Sequence, residues 1–356
     1  MLPPLRCRLL VRIFINGFGN IGRRIASALA TDKEFQFIGI AKYTPDERIK
    51  EAYAQNFDIF APEENLQAFK KMGYDVAGTI KEAIQGSDIV IDAAKDGLGY
   101  DNKMKYYVPM SKPAIFQGGE DRFGERSVAD MIHNSRVNYE QAFGKRYVIQ
   151  GSCNVTGLGR VMQPLIEKYG KEINRFDATL IRRWADLEDR KEVRDSIEWD
   201  RDPHHQYDVG DFIKTHPLYV DVYKVPSRMM HLHQLYVRFS NDCPTKNEIL
   251  GLFEKEFGIA VLHSAKGTAD VRKKAMELGF LHGDTGMVHI HADVLKVQDD
   301  TLKIAYSDDQ TGMVIPENHI LLQAMMLQRK KKEAMERTDK LFRMSEKKKL
   351  LTNEFK

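Results

Sequence analysis

Over its first 150 residues the chain alternates short β-branched runs with amphipathic segments, the arrangement of a parallel sheet linked by crossover helices. Apolar runs predict strands over Val11–Asn16, Gln36–Ala41, Asp88–Ala94, Ala114–Gln117 and Arg146–Gln150. Helical spacing predicts Ile21–Leu29 and Ile80–Ile84, the second opened by a Thr79-x-x-Glu82 capping box and closed by Gly86. From about Phe176 the strands lengthen and mostly alternate: Phe176–Trp184, Met229–Phe239, Met287–Val297 and Thr301–Tyr306. Helices fall near Lys246–Phe257 and Ala269–Leu278, so this part reads as an antiparallel or mixed sheet covered on one face. After Pro316-Glu317-Asn318 a helical pattern resumes to near the C-terminus.

The glycines identify what the first half holds. Val11–Asn16 runs into Gly17-Phe18-Gly19-Asn20-Ile21-Gly22 and then a helix, which sets the G-x-G-x-x-G fingerprint in the context its chemistry needs. Gly17 permits the tight turn, Gly19 lets backbone approach a pyrophosphate, and Gly22 lets helix and strand pack closely. An NAD site would carry an acidic residue at the end of the second strand, to hold the ribose hydroxyls. Here Gln36–Ala41 ends in Lys42, a cation that attracts a 2′-phosphate, so NADP is expected to bind at least as well as NAD; the bland alternative is a solvated lysine at a strand end.

The expected fold is therefore α/β: a Rossmann-type doubly wound parallel sheet plus an α+β catalytic domain with a mostly antiparallel or mixed sheet. Residues 1–10 read as an N-terminal extension, 11–151 as the dinucleotide-binding domain, 152–312 as the catalytic domain, and 313–356 as a C-terminal helix returning to the first domain. A chain of 356 residues, 42% hydrophobic and 29% charged, is long enough for two cores and contains no apolar stretch of membrane-spanning length. The first ten residues lack the long apolar region and cleavage site of a signal peptide. Cys7, Cys153 and Cys243 are too few and too dispersed for a disulfide framework or a thiolate zinc site, which makes a reducing cytoplasm the default. The net charge of +3 is a property of the tail, where residues 329–349 hold ten Lys/Arg against four Asp/Glu. A nucleic-acid footprint spread over the fold is not indicated.

Candidate chemistry centres on Cys153, in Gly151-Ser152-Cys153-Asn154-Val155-Thr156-Gly157-Leu158. A cysteine at a strand-to-helix junction faces unpaired N–H groups and the positive end of a helix dipole, which favours thiolate. A nucleophilic thiol also needs a base or cationic partner, and His231 and His233 share one face of a predicted strand from which one can reach the sulfur. A metal pair is the weaker reading of His-x-His, since spacing suggests no third ligand and His289-Ile290-His291 repeats the pattern alone. Arg182-Arg183 and His204-His205 could bind phosphate groups, although either pair alone is more often a surface feature.

Taken in order, G-F-G-N-I-G, A-K-Y-T-P (41–45), I-F-Q-G-G-E (115–120), S-C-N-V-T-G-L (152–158), R-R-W-A-D (182–186), P-H-H (203–205), M-H-L-H (230–233) and V-I-P-E-N (314–318) resemble the archaeal-type (type II) phosphorylating glyceraldehyde-3-phosphate dehydrogenases, from about Val11 to the C-terminal helix. The resemblance implies Cys153 as nucleophile and His231 as its base and later acid, with Ser152, Asn154, His204 and His205 on the substrate. It places Asn20 and Ile21 at the pyrophosphate, Lys42 at the 2′-phosphate, and Gly119, Arg183 and Gln310 toward the nicotinamide. It further implies NADP and NAD as cofactors, glyceraldehyde 3-phosphate and inorganic phosphate as substrates, and a homotetramer of central sugar metabolism. After the cysteine the family pattern is Asn-Thr-Thr, whereas this chain has Asn154-Val155-Thr156, which removes one hydroxyl available to cap the helix or touch phosphate.

Two other readings remain at the level of sequence. Semialdehyde dehydrogenases and acyl-phosphate reductases pair the same kind of dinucleotide domain with a Cys/His site. A non-catalytic NADP- or RNA-binding protein could instead use the basic tail, although its interleaved Glu333, Glu336, Asp339 and Glu346 suit an amphipathic, solvated helix.

Overall fold

The computed structural model describes residues 10–189 and 191–356. Cys7 and residues 1–9 of the expected N-terminal extension lie outside the described residues. The chain divides into two compact units. The first comprises the residues up to Met131, with Ala142–Ile149 and Leu322–Arg329; the second comprises Ile132–Gln141, Gln150–Leu321 and Lys330–Lys356.

In the first unit the strands are β1 (Val11–Asn16), β2 (Phe35–Ala41), β3 (Ile59–Ala61), β4 (Gly78–Thr79), β5 (Ile89–Asp92) and β6 (Ala114–Gln117). Past β7 (Ile132–His133) comes β8 (Tyr147–Gln150), and the order across the first unit's sheet is β4-β3-β2-β1-β5-β6-β8. Every pairing from β4 to β6 is parallel. Ile13, Phe14, Ile15, Ile89, Val90, Ile91, Ala114, Ile115 and Phe116 are buried, as central strands covered on both faces require. The capping box opens its helix as expected, with Thr79 and Glu82 satisfying each other's backbone N–H before Ile80–Gly86. The strands β3 and β4, only three and two residues long, carry too short a pattern to be predicted.

The second unit holds β9 (Ile173–Arg183), β10 (Glu198–Trp199), β11 (Leu218–Val225), β12 (His231–Phe239), β13 (Ile259–Leu262), β14 (Val288–His291), β15 (Lys296–Gln298) and β16 (Thr301–Asp308). Their order is β10-β11-β9-β12-β16-β14-β13, with β15 paired to β16. The sheet is mixed: β11–β9 and β13–β14 run parallel, and β9–β12, β12–β16 and β14–β16 antiparallel. Along β12 buried and half-buried positions alternate strictly, so one face meets the core. The predicted strand Met287–Val297 is broken into β14, a turn of 3₁₀ helix over Ala292–Val294, and β15. His289 and His291 are buried and bonded to Ser307 Oγ, and His289 also to Thr285, which absorbs the second His-x-His into the core.

The C-terminal segment differs from its expected place. Residues 322–329 lie with the first unit, but Lys330–Lys356 belongs to the second, because Met344, Leu351 and Phe355 complete a core with Met230, Ala260, Leu262, Val271 and Met287. The tail lysines serve the same packing: Lys347 donates to the Asp284 carbonyl, Lys348 to those of Glu254 and Glu256, and Lys331 to that of Arg136.

Candidate active site

The cofactor cradle is built where the strand order reverses, with β2 on one side of β1 and β5 on the other. Gly17 follows β1 with φ +134°, and a Cβ there would lie 2.2 Å from the Ala93 carbonyl oxygen. At Gly22 a Cβ would lie 2.3 Å from the Gly17 oxygen, which is the close helix-to-strand approach the fingerprint needs. Around Gly19 a Cβ would meet nothing within 4 Å. That open space fronts the N-terminus of the helix Asn20–Leu29, where Asn20 and Ile21 begin the helix and no side chain caps it. The N–H groups of a helix N-terminus beside an open space fit a pyrophosphate. Gly119, two residues past β6, has φ +138°. Lys42 sits at the end of β2 as predicted, but it is buried and its Nζ lies 2.6 Å from Asp46 Oδ2. Asp46 was not anticipated, and a 2′-phosphate must compete with it for the ammonium.

The thiol site belongs entirely to the second unit. Cys153 begins the helix Cys153–Tyr169, capped by Ser152, whose Oγ accepts from the Val155 N–H at 3.4 Å. The hydroxyl missing at Val155 is therefore not needed as a cap; Val155 is fully buried, and Thr156 donates to the Gly151 carbonyl at 3.1 Å. Three neighbouring strand ends supply what faces the sulfur. Arg182 and Arg183 close β9, His231 opens β12 and Asp308 closes β16, with His231 and Asp308 in direct register. The donor atoms of Cys153, His231 and Asp308 lie within 4.8 Å of one another. Thiolate, imidazole and carboxylate are also ligands a zinc-like cation accepts. His231 Nδ1 accepts the Arg183 backbone N–H at 3.0 Å, and His233 Nε2 lies 3.0 Å from Asp308 Oδ2.

Two groups of predicted residues surround this centre. Arg183 pairs with Asp186, the same carboxylate that accepts from Thr311 Oγ1 at 3.0 Å and Gln310 Nε2 at 3.4 Å. Gln310 keeps a buried Oε1 with no hydrogen-bond partner among the described residues. Beside the cysteine, Asn154 Nδ2 donates to His205 Nε2 at 3.2 Å, and His205 stacks on His204 with ring centroids 4.2 Å apart. His204 Nδ1 lies 2.7 Å from Asp208 Oδ2. That hydrogen bond raises the His204 pKa, favouring an imidazolium, whereas burial, His204 and Arg182 lower that of His205.

The electrostatics correct one expectation. Burial, and then the Asp308 charge, push the Cys153 thiol up, and Arg183, Arg182 and the Asn154 N–H offset this only in part. Burial, with His233, Arg183 and Arg182, holds His231 well below the ordinary histidine range. Burial therefore works against the thiolate that the helix dipole alone favours. Asp308, Asp186 and Thr311 were missed. The alternation of β16 was legible only to Tyr306, because Ser307 and Asp308 end the strand in polar residues that read as a loop.

A dinucleotide-binding Rossmann unit, in one chain with a unit that gathers cysteine, imidazole and carboxylate at a helix start, has the organisation of a nicotinamide-dependent oxidoreductase. No protein-family model matches the chain. It is 35% identical over 345 residues to the glyceraldehyde-3-phosphate dehydrogenase of Pyrobaculum islandicum, covering 94% of this chain and 98% of that protein. It is 33% identical over 316 residues to the enzyme of that name from Sulfolobus acidocaldarius (86% and 90% covered), and 32% over 337 residues to that from Archaeoglobus fulgidus (92% and 96%). The chain belongs to the glyceraldehyde-3-phosphate dehydrogenase family, in its archaeal type.

Proposed function

We propose that the protein catalyses the phosphorylating oxidation of glyceraldehyde 3-phosphate to 1,3-bisphosphoglycerate, and its reverse, through a thioester on Cys153. The observation that carries this is the grouping of Cys153, His231 and Asp308 at the start of a capped helix, in a chain whose relatives bear that name. The sulfur attacks the aldehyde carbon, bound nicotinamide supplies the hydride acceptor, and inorganic phosphate displaces the sulfur from the thioester. Arg182 and His204 give the site positive potential for two anionic phosphates, His205 adds a ring Nδ1 with no hydrogen-bond partner among the described residues, and Ser152 and Asn154 flank the sulfur from the helix start.

NADP and NAD both serve as cofactor in this reading. No carboxylate ends β2 to repel a 2′-phosphate, and Lys42 stands there, shared with Asp46. The family resemblance supports a homotetramer working in the cytoplasm. Mixing enzyme, glyceraldehyde 3-phosphate and either NADP⁺ or NAD⁺, with and without phosphate, tests the activity by absorbance of the reduced nicotinamide. Sustained, phosphate-dependent reduction is expected with both cofactors. Turnover confined to the reverse reaction with aspartyl or acetylglutamyl phosphate would place the site with the acyl-phosphate reductases of amino-acid synthesis.

A further inference from the structure

We propose that Tyr43, through its hydroxyl on Asn16 and Asn102, positions Lys42 for the 2′-phosphate of NADP. This rests on the reading of Lys42 as the cation at that phosphate and names what sets its place. Tyr43 and every group that holds it belong to the first unit.

The direction of each hydrogen bond follows from a carboxylate. Asp92 ends β5, is buried, and stands in direct register with Asn16, the last residue of β1 before the glycine turn. Its Oδ1 accepts the Ala94 N–H at 3.0 Å, and its Oδ2 lies 2.5 Å from the Tyr107 hydroxyl and 2.9 Å from Asn102 Nδ2. A carboxylate can only accept, so Tyr107 gives it the one hydroxyl hydrogen and keeps a lone pair for Asn16 Nδ2, 2.7 Å away. Asn16 and Asn102 are thereby both turned with their nitrogens inward. Their Oδ1 atoms face the Tyr43 hydroxyl at 3.0 and 3.4 Å, and that hydroxyl must donate. Both amides are buried, and Tyr43 is the donor these two oxygens have among the described residues. A Tyr43 that swung away would leave them unpaired, which holds the ring in place.

The main chain beside the ring is fixed as well. The Lys42 N–H donates to the Phe60 carbonyl of β3 at 2.8 Å, and Asn65 Nδ2 donates to the Tyr43 carbonyl at 2.8 Å. With the hydroxyl bond to the end of β1, these contacts tie the backbone that carries Lys42 to β3, to the 3₁₀ turn Glu63–Asn65 and to the strand that feeds the glycine turn. What remains to move is the Lys42 side chain, held by the more exposed Asp46. A cation that projects from a fixed backbone loses less freedom on meeting a phosphate, so its contribution to binding is larger.

The test titrates the full-length protein with NADP⁺ and with NAD⁺ by calorimetry and reads the ratio of the two dissociation constants. The variants are Tyr43→Phe, Asn65→Ala and Lys42→Ala, with the first two also placed in the Lys42→Ala background. Tyr43→Phe keeps the ring and removes one hydroxyl, and it should lower the preference for NADP⁺ over NAD⁺ about 3- to 10-fold. Asn65→Ala, at a half-buried position, releases the same backbone from its other side; it should act in the same direction and replaces Tyr43→Phe if that variant does not fold. Lys42→Ala should lower the preference by about tenfold or more. In that background neither of the other substitutions should change the ratio by more than about twofold, because each acts through the ammonium. A merely structural role would weaken both cofactors together and would not depend on Lys42. Should Tyr43→Phe fold and keep the preference while Lys42→Ala lowers it, the positioning role is overturned and Lys42 keeps its own. An equal loss with and without Lys42 overturns it too. An unchanged preference in Lys42→Ala removes the reading of Lys42, and the role of Tyr43 with it.

Discussion

Lys42 shows how one neighbour changes what a residue can do. As a bare cation it would select a 2′-phosphate outright, but the Asp46 carboxylate at 2.6 Å already satisfies it. Any phosphate gains the ammonium only by displacing a group that is half-exposed and so readily solvated. Asp46→Asn should therefore lower KM for NADP⁺ by roughly 3- to 10-fold, about 1 kcal/mol of relieved competition, while leaving KM for NAD⁺ close to its original value. Steady-state kinetics with each cofactor measures this. Equal changes for both would show that Lys42 does not read the 2′ position.

At the scale of the element, the helix Cys153–Tyr169 is what presents the nucleophile, and its first turn is held by Ser152. Ser152→Ala removes that cap, and urea unfolding should show a loss of about 1 kcal/mol. No change in stability would mean that the helix start is fixed by the buried Val155, Thr156 and Leu158 alone. Strand ends supply the partners, and here legibility in the sequence is uneven. The glycine turn, Cys153 and the His231–His233 strand were readable because each has a local signature: a dinucleotide fingerprint, a strand-to-helix junction, a period of two. Asp308 has none. It becomes visible only when β16 pairs with β12 and sets it opposite His231, a relation between residues 77 positions apart in the chain. Asp186 was equally hidden, since its meaning lies in the convergence of Arg183, Gln310 and Thr311 upon it.

For the whole molecule, the two-unit organisation follows from the change of pattern after residue 150, but the path of the C-terminus does not. Apolar residues spaced along a basic helix show that it packs, without showing against what. Met344, Leu351 and Phe355 find their partners beside Met230, the residue before His231, so the tail helps anchor the strand that carries the imidazole. Met230 itself has φ +40°, a left-handed turn into β12 that this packing must hold. Deeper in the same unit, Arg160 is buried with Nη2 2.7 Å from Glu317 Oε1, and Nη1 bonded to the Gly258 and Gly286 carbonyls. Glu317→Ala would leave that guanidinium buried without its counter-charge, at a cost of about 3–5 kcal/mol. Chemical denaturation of the two proteins gives the difference directly; a loss below about 1 kcal/mol would show that water reaches Arg160 in the variant.

The covalent chemistry of the Cys153 sulfur can be observed in one experiment. Enzyme mixed with glyceraldehyde 3-phosphate and NADP⁺ in the absence of phosphate, quenched in acid and digested, should yield a 3-phosphoglyceroyl thioester on the peptide containing Cys153. Adding phosphate before the quench should discharge it. Full turnover with no adduct at Cys153, or with an acyl group carried on another residue, would contradict the mechanism at its root.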